Sequence, residues 1–239
     1  MNQLGGAMAL AILSLALPIG WFWLKGTGFK AGQAINEQWL GSAARFFYFV
    51  GLPYLAMIAG ILPPRLLGLK GLENFVSINE LQKALTLLLL EVLVDGSVVI
   101  GVGLIALLLL AGIRLGLAQA GLGFSYYPSA LDTVYDCLHW AFYRAIFWLM
   151  SGDLYLGLVG GIAWVLLEWV LLAWVQKNWP AQQQQFLTKT IILILTATIF
   201  FYSPNLWLLW LIHLAMVIII IRGSSTLKSE PDPDLLLAK

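Results

Sequence analysis

The chain has 239 residues, of which 61% are hydrophobic and 10% charged, and its formal net charge is +1. Soluble domains carry about 25% charged residues, so a water-soluble globular fold is excluded, and the near-zero net charge removes the electrostatic case for nucleic acid as a partner. The single cysteine, Cys137, excludes an internal disulfide, leaving helix packing to hold the fold.

Apolar runs near the roughly 20 residues needed to cross a bilayer recur along the chain, which predicts an all-α, polytopic transmembrane helical bundle of about seven spans. Gly5 to Leu24 is the first, read as an uncleaved helix because it lacks a basic leader and a small-residue cleavage site. Phe46 to Leu62 is the second, stopped by Pro63 and Pro64, which have no N–H to continue a helix. Ala84 to Ile113 is the third, long enough to tilt or to begin at the interface around Glu91 and Asp95. Thr133 to Met150, Leu154 to Val175, Thr190 to Tyr202 and Leu206 to Ile221 follow. Residues 1–222 therefore read as one transmembrane domain, and 223–239, rich in Ser, Pro and Asp, as a disordered tail. The run Gln182 to Gln185 reads as a polar loop.

With seven spans, one side of the membrane carries Lys25, Lys30, Arg45, Arg114, Lys177, Lys189, Arg222, Lys228 and Lys239, and the other only Arg65, Lys70 and Lys83. Basic loops stay inside, so the chain is expected in the cell membrane with its C-terminus cytoplasmic and its N-terminus external. Trp21, Trp23, Trp39, Phe46, Phe47, Tyr48, Tyr126, Tyr127, Trp174, Trp179 and Trp207 lie near span ends and read as interfacial belt residues. Gly157 and Gly161 form a small-residue face for close helix approach, either within the bundle or at a dimer seam.

Four polar side chains stand where hydrocarbon is expected: His139, Arg144, Glu168 and His213. A charge at mid-bilayer costs roughly 2.5–3.5 kcal/mol on insertion scales, so such groups face one another or water. Asp132, Asp136, His139 and Tyr143 are spaced by four, three and four, which puts them on one stripe of the fourth helix. There Asp136 is placed to accept from His139 and fix its tautomer. Arg144, near the end of that span, either snorkels to the interface or faces inward. Glu168 has no cation within a helical turn on its own segment, so it needs a partner from another helix or a proton. His213 has the same choice between interhelical hydrogen bonding and a site. No nucleotide-binding loop, haem attachment motif or zinc-finger spacing occurs, and neither metal nor cofactor is expected.

The segment Leu138-His139-Trp140-Ala141-Phe142-Tyr143-Arg144, then Trp164-Val165-Leu166-Leu167-Glu168, then Ser203-Pro204-Asn205 leading to His213 and Val217, resembles the intramembrane glutamic proteases and their relatives. This group contains the type II CAAX prenyl endopeptidases and bacteriocin-processing or immunity proteins. Its pattern is Glu-Glu-x-x-x-Arg, Phe-x-x-x-His, and a closing His-x-x-x-Asn. The resemblance covers the last third of the chain. Arg144 and His213 carry over directly, His139 and Trp140 replace the paired glutamates, Trp164 and Glu168 replace the Phe and His, and Val217 replaces the Asn. The Glu and His positions are thus exchanged.

Two classes of function stay open on this resemblance. One is a degenerate, non-catalytic relative, a binding or scaffold protein of the membrane, preferred because two of the three motifs are altered. The other is an active membrane endopeptidase with Glu168 as general base, His139 and His213 as orienting groups and Arg144 as a structural or substrate-carboxylate partner. Outside the resemblance stands a subunit of a membrane complex or a transporter, with Glu91 and Asp95 as its proton-relay candidates. Expected partners are membrane lipid and a membrane-associated peptide or another membrane protein, with no nucleic acid.

Overall fold

The computed structural model describes residues 3–26, 37–69, 81–119, 128–176 and 179–227. Most of these residues lie in eight α-helices: α1 (Gln3–Gly26), α2 (Glu37–Phe46), α3 (Leu52–Ile58), α4 (Leu81–Gln119), α5 (Ala130–Ser151), α6 (Leu154–Gln176), α7 (Trp179–Tyr202) and α8 (Leu206–Leu227). Among the described residues, five stretches are long and apolar enough to cross a membrane: Gln3–Gly20, Gly41–Ile58, Gly96–Leu117, Leu154–Val175 and Gln185–Tyr202. Leu206–Ile220 is a shorter apolar helix. Their outer faces expose large side chains such as Ile12, Leu93, Leu108, Trp174 and Leu211, the composition that lipid, not water, solvates.

At the centre lies α5, the least apolar of the long helices. It packs against α1, α3, α6, α8 and the short 3-10 turn Pro64–Leu67. Its start is fixed by a capping box: the Ser129 hydroxyl accepts from the Asp132 N–H at 3.1 Å while the Asp132 carboxylate accepts from the Ser129 N–H at 2.9 Å. It stops at Gly152, whose φ of 69° is the left-handed end that a side chain disfavours. One residue later Asp153 accepts from the Leu156 N–H at 2.9 Å and starts α6. This short turn folds α6 back along α5.

Glycines then set how close and in what register the two helices lie. A Cβ on Gly157 would sit 2.8 Å from the Trp148 Cα, and one on Gly161 would sit 2.9 Å from the Arg144 backbone nitrogen. The Gly157 and Gly161 face thus packs inside the bundle. About two turns farther along α6, the same antiparallel register carries Glu168 to His139.

Several expectations are corrected by this fold. The second span is not one helix to Leu62: after α2 the chain runs through a π-helical turn, Phe47–Gly51, into α3, which ends at Ile58. Residues Leu62, Leu66, Leu67 and Leu69 then fold into the core, where the Gly68 carbonyl accepts from the Leu206 N–H at 2.8 Å. The run Gln182 to Gln185 is helical, because Gln is a good helix former and Pro180 stands in the first turn of α7, where its missing N–H costs nothing. The tail begins later than Gly223, since α8 continues to Leu227, and the rest of the expected disordered segment lies outside the described residues. Glu91 and Asp95 lie on α4, but their side chains lie outside the described set, as do those of Trp21, Trp23 and Trp39; Tyr126 and Tyr127 lie outside it altogether.

Candidate functional site

The α5–α6 register brings His139 and Glu168 into direct contact. His139 Nε2 donates to Glu168 Oε2 at 2.8 Å, with the two side chains 3% and 5% exposed. The other carboxylate oxygen, Oε1, accepts from the Tyr48 hydroxyl at 2.8 Å. Tyr48 Oη also stands 3.5 Å from the Tyr143 hydroxyl, one turn beyond His139 on α5. Each oxygen of a buried carboxylate therefore has a donor, the condition under which such a group is tolerated away from water. The His139 Nδ1 is buried and has no hydrogen-bond partner among the described residues.

Aromatic rings close around the imidazole. Tyr48, Phe49 and Tyr143 lie with centroids 4.8, 4.9 and 4.6 Å from His139. Tyr48 and Phe49 come from the π-helical turn, a geometry that recurs at functional sites because the wider turn re-aims side chains that a regular helix would point elsewhere. Tyr48 and Phe49 are the members of the cluster that the sequence does not reveal, since Tyr48 near a span end reads as a belt residue. The signal that could have found them is absent from a period-based reading.

On one side the cluster meets a pocket of about 460 Å³ lined by Leu17, Pro18, Arg45, Tyr48, Phe49, Glu168 and Leu172 among others. Its wall is apolar apart from the Tyr48 and Glu168 groups and Arg45. Arg45 forms an ion pair with Asp132 at the start of α5 and lies over the Phe49 and Tyr135 rings at 5.8 and 5.4 Å. Burial raises the Asp132 carboxyl pKa, but the Ser129 hydrogen bonds and the Arg45 guanidinium outweigh it and hold Asp132 below the ordinary carboxylate range.

The remaining candidates are elsewhere. His213 does not join His139 and Glu168: its Nδ1 stands 2.9 Å from the Cys137 sulfur and its ring stacks on Trp140 at 5.1 Å, 18° from parallel. Trp140 and His139 are adjacent on α5 and face different helices, which separates the two histidines. Arg144 does not snorkel; it is 1% exposed, with its guanidinium 4.3 Å from the centre of the Phe200 ring. The reason is that α5 is surrounded by other helices, so the end of the span offers no route to the interface. Asp136 does not serve His139 either; its carboxylate faces Lys189 at 3.9 Å. Among the described residues no group of three or more His, Cys, Asp or Glu side chains is placed to hold a metal ion.

Fold and site together define a helical bundle with apolar outer faces and a buried acid–base cluster beside an apolar pocket. No protein-family model, no curated protein and no solved structure matches the chain.

Proposed function

We propose that this protein is a multi-pass protein of the cell membrane, a divergent relative of the intramembrane glutamic proteases, in which the Tyr48–Glu168–His139 cluster is a structural and ligand-holding clamp and not a hydrolytic base. The observation that carries this reading is the state of Glu168. Each of its oxygens accepts a hydrogen bond from a side chain on another element, so the carboxylate ties α6 to α5 and to the π-helical turn. Two further facts support it: His213 is engaged with Cys137 and Trp140, away from the carboxylate, and the neighbouring pocket is lined by apolar residues. A membrane lipid chain or the apolar part of a membrane-associated peptide fits such a wall.

A second reading, an active membrane endopeptidase, is favoured by one observation: Glu168 is itself part of the pocket lining. Two variants separate the readings. In the clamp, Glu168→Gln keeps an acceptor for Tyr48 and stays within about 1 kcal/mol of wild type, while Glu168→Leu loses interhelical hydrogen bonds of about 0.6 and up to about 2 kcal/mol each. Unfolding in mixed micelles measures both, and complementation of a deletion strain measures function. A Glu168→Gln protein that is folded and assembled but without function would favour the endopeptidase.

We also infer that the chain crosses about seven times, α5 and α8 included, with a cytoplasmic C-terminus, from the nine basic residues on one side against three on the other. Because Cys137 is buried, single cysteines introduced at other positions report without background. Lys70→Cys is expected to react with an impermeant maleimide on intact cells, and Lys228→Cys only after permeabilisation. The opposite pattern would reverse the orientation.

A further inference from the structure

Among the described residues Arg144 is one of the most deeply buried side chains, and none of its three guanidinium nitrogens, Nε, Nη1 and Nη2, finds a hydrogen-bond partner there. Its one face rests on Phe200, and its stem lies against Gly161 of α6. Guanidinium stays protonated in proteins, so a full positive charge is held in the core of a membrane bundle. The acids whose side chains are described on α5 and α6 are engaged: Glu168 pairs with His139, Asp136 faces Lys189, Asp132 pairs with Arg45, and Asp153 caps α6. Among the described residues no carboxylate lies within ion-pair distance of Arg144.

Water alone would satisfy the N–H groups but would leave the charge uncompensated, and an isolated buried charge is far costlier than an unmet hydrogen bond. Two further buried polar groups have no partner among the described residues and lie on neighbouring turns. Trp164 packs on Tyr143 and Phe147, the residues just before and one turn after Arg144, and its indole N–H is buried without a partner. Ser203, three residues beyond Phe200, likewise has a buried hydroxyl with no partner. A guanidinium on α5, an indole N–H on α6 and a hydroxyl just past the end of α7 are thus buried and unpartnered among the described residues.

We propose that Arg144 is the centre of an internal binding site for a small monovalent anion of the halide class, completed by the Trp164 indole and the Ser203 hydroxyl. The anion neutralises the guanidinium and ties α5, α6 and α7 together. The site is separate from the His139–Glu168 cluster and does not depend on how that cluster is read.

The test uses the full-length chain in detergent micelles, exchanged from sodium chloride into sodium gluconate at constant ionic strength. Halide retained after exchange is measured by ion chromatography of the denatured protein, and the thermal midpoint is followed while chloride or bromide is added back. Either stoichiometric retained chloride or a saturable upward shift of several degrees on adding halide is expected, since an ion that binds only the folded state stabilises it by mass action. Arg144→Met, matched in length and apolar, should abolish both signals. Trp164→Phe keeps the ring and removes only the N–H, and should weaken halide binding several-fold in a chain that folds even if Arg144→Met does not. Wild-type protein that retains no halide and whose midpoint ignores the exchange of gluconate for chloride or bromide would overturn the proposal. So would an Arg144→Met protein with an unchanged halide response.

Discussion

Replacing His139 with Leu is expected to cost roughly 3–5 kcal/mol of stability, because it removes one partner of a buried pair and leaves the other as an uncompensated carboxylate. The geometry behind this is the 2.8 Å contact between His139 Nε2 and Glu168 Oε2, with both side chains almost fully enclosed. The double variant His139→Leu/Glu168→Leu should regain most of that loss, since two apolar side chains remove the stranded charge altogether. Unfolding of wild type, both single variants and the double variant in mixed micelles completes the cycle. Additivity within about 0.5 kcal/mol would mean that the pair contributes no coupling and that the helices are held by packing alone.

The second large effect belongs to the glycines that set the α5–α6 distance. A methyl group at 161 would lie 2.8 Å from the Arg144 Cγ and 3.0 Å from its Cα, and one at 157 would lie 2.7 Å from the Trp148 Cβ. These are helix-to-helix contacts with backbone on the far side, so no side-chain rotation relieves them. Gly161→Ala and Gly157→Ala are each expected to cost about 3 kcal/mol, the upper range for overpacking, and to loosen the His139–Glu168 contact farther along the same register. Gly101 and Gly112 on α4 provide the control: nothing lies within 4 Å of a Cβ there, so their alanine variants should be neutral or more stable by up to about 1 kcal/mol. Equal gains at all four positions would show that helix propensity, not close approach, governs these sites.

Sequence reasoning reached the chemistry of the core before its geometry. His139 and Glu168 stood out because ionisable groups in apolar runs are conspicuous, and their contact follows from the α5–α6 turn at Gly152 and the glycine face, both of which leave sequence traces. Tyr48 was illegible for a physical reason. An aromatic residue near a span end has the same sequence signature whether it faces headgroups or the interior, and only the π-helical turn at Phe47–Gly51 aims it at Glu168. Arg144 was ambiguous because snorkelling depends on which helices surround a span, information that no single segment holds. The separation of His213 from His139 is likewise tertiary: His139 turns to Glu168 and the π-helical turn, while the adjacent Trp140 stacks on His213 of α8 and meets Trp169 of α6. The start of α7 was misplaced because polarity was read as irregularity, although Gln favours helix in any solvent.

The claim that Glu168 clamps helices instead of activating water is tested most directly by mapping protein termini in host membranes. Mass spectrometry would compare cells carrying the wild-type chain, a deletion, and Glu168→Gln expressed at equal level, with no assumption about a substrate. The clamp predicts the same set of termini in all three, because an acceptor-preserving amide leaves the fold intact and no peptide bond is cut by the wild type. Termini present with the wild type and missing from both the deletion and the Glu168→Gln cells would contradict it and make Glu168 the base of an endopeptidase.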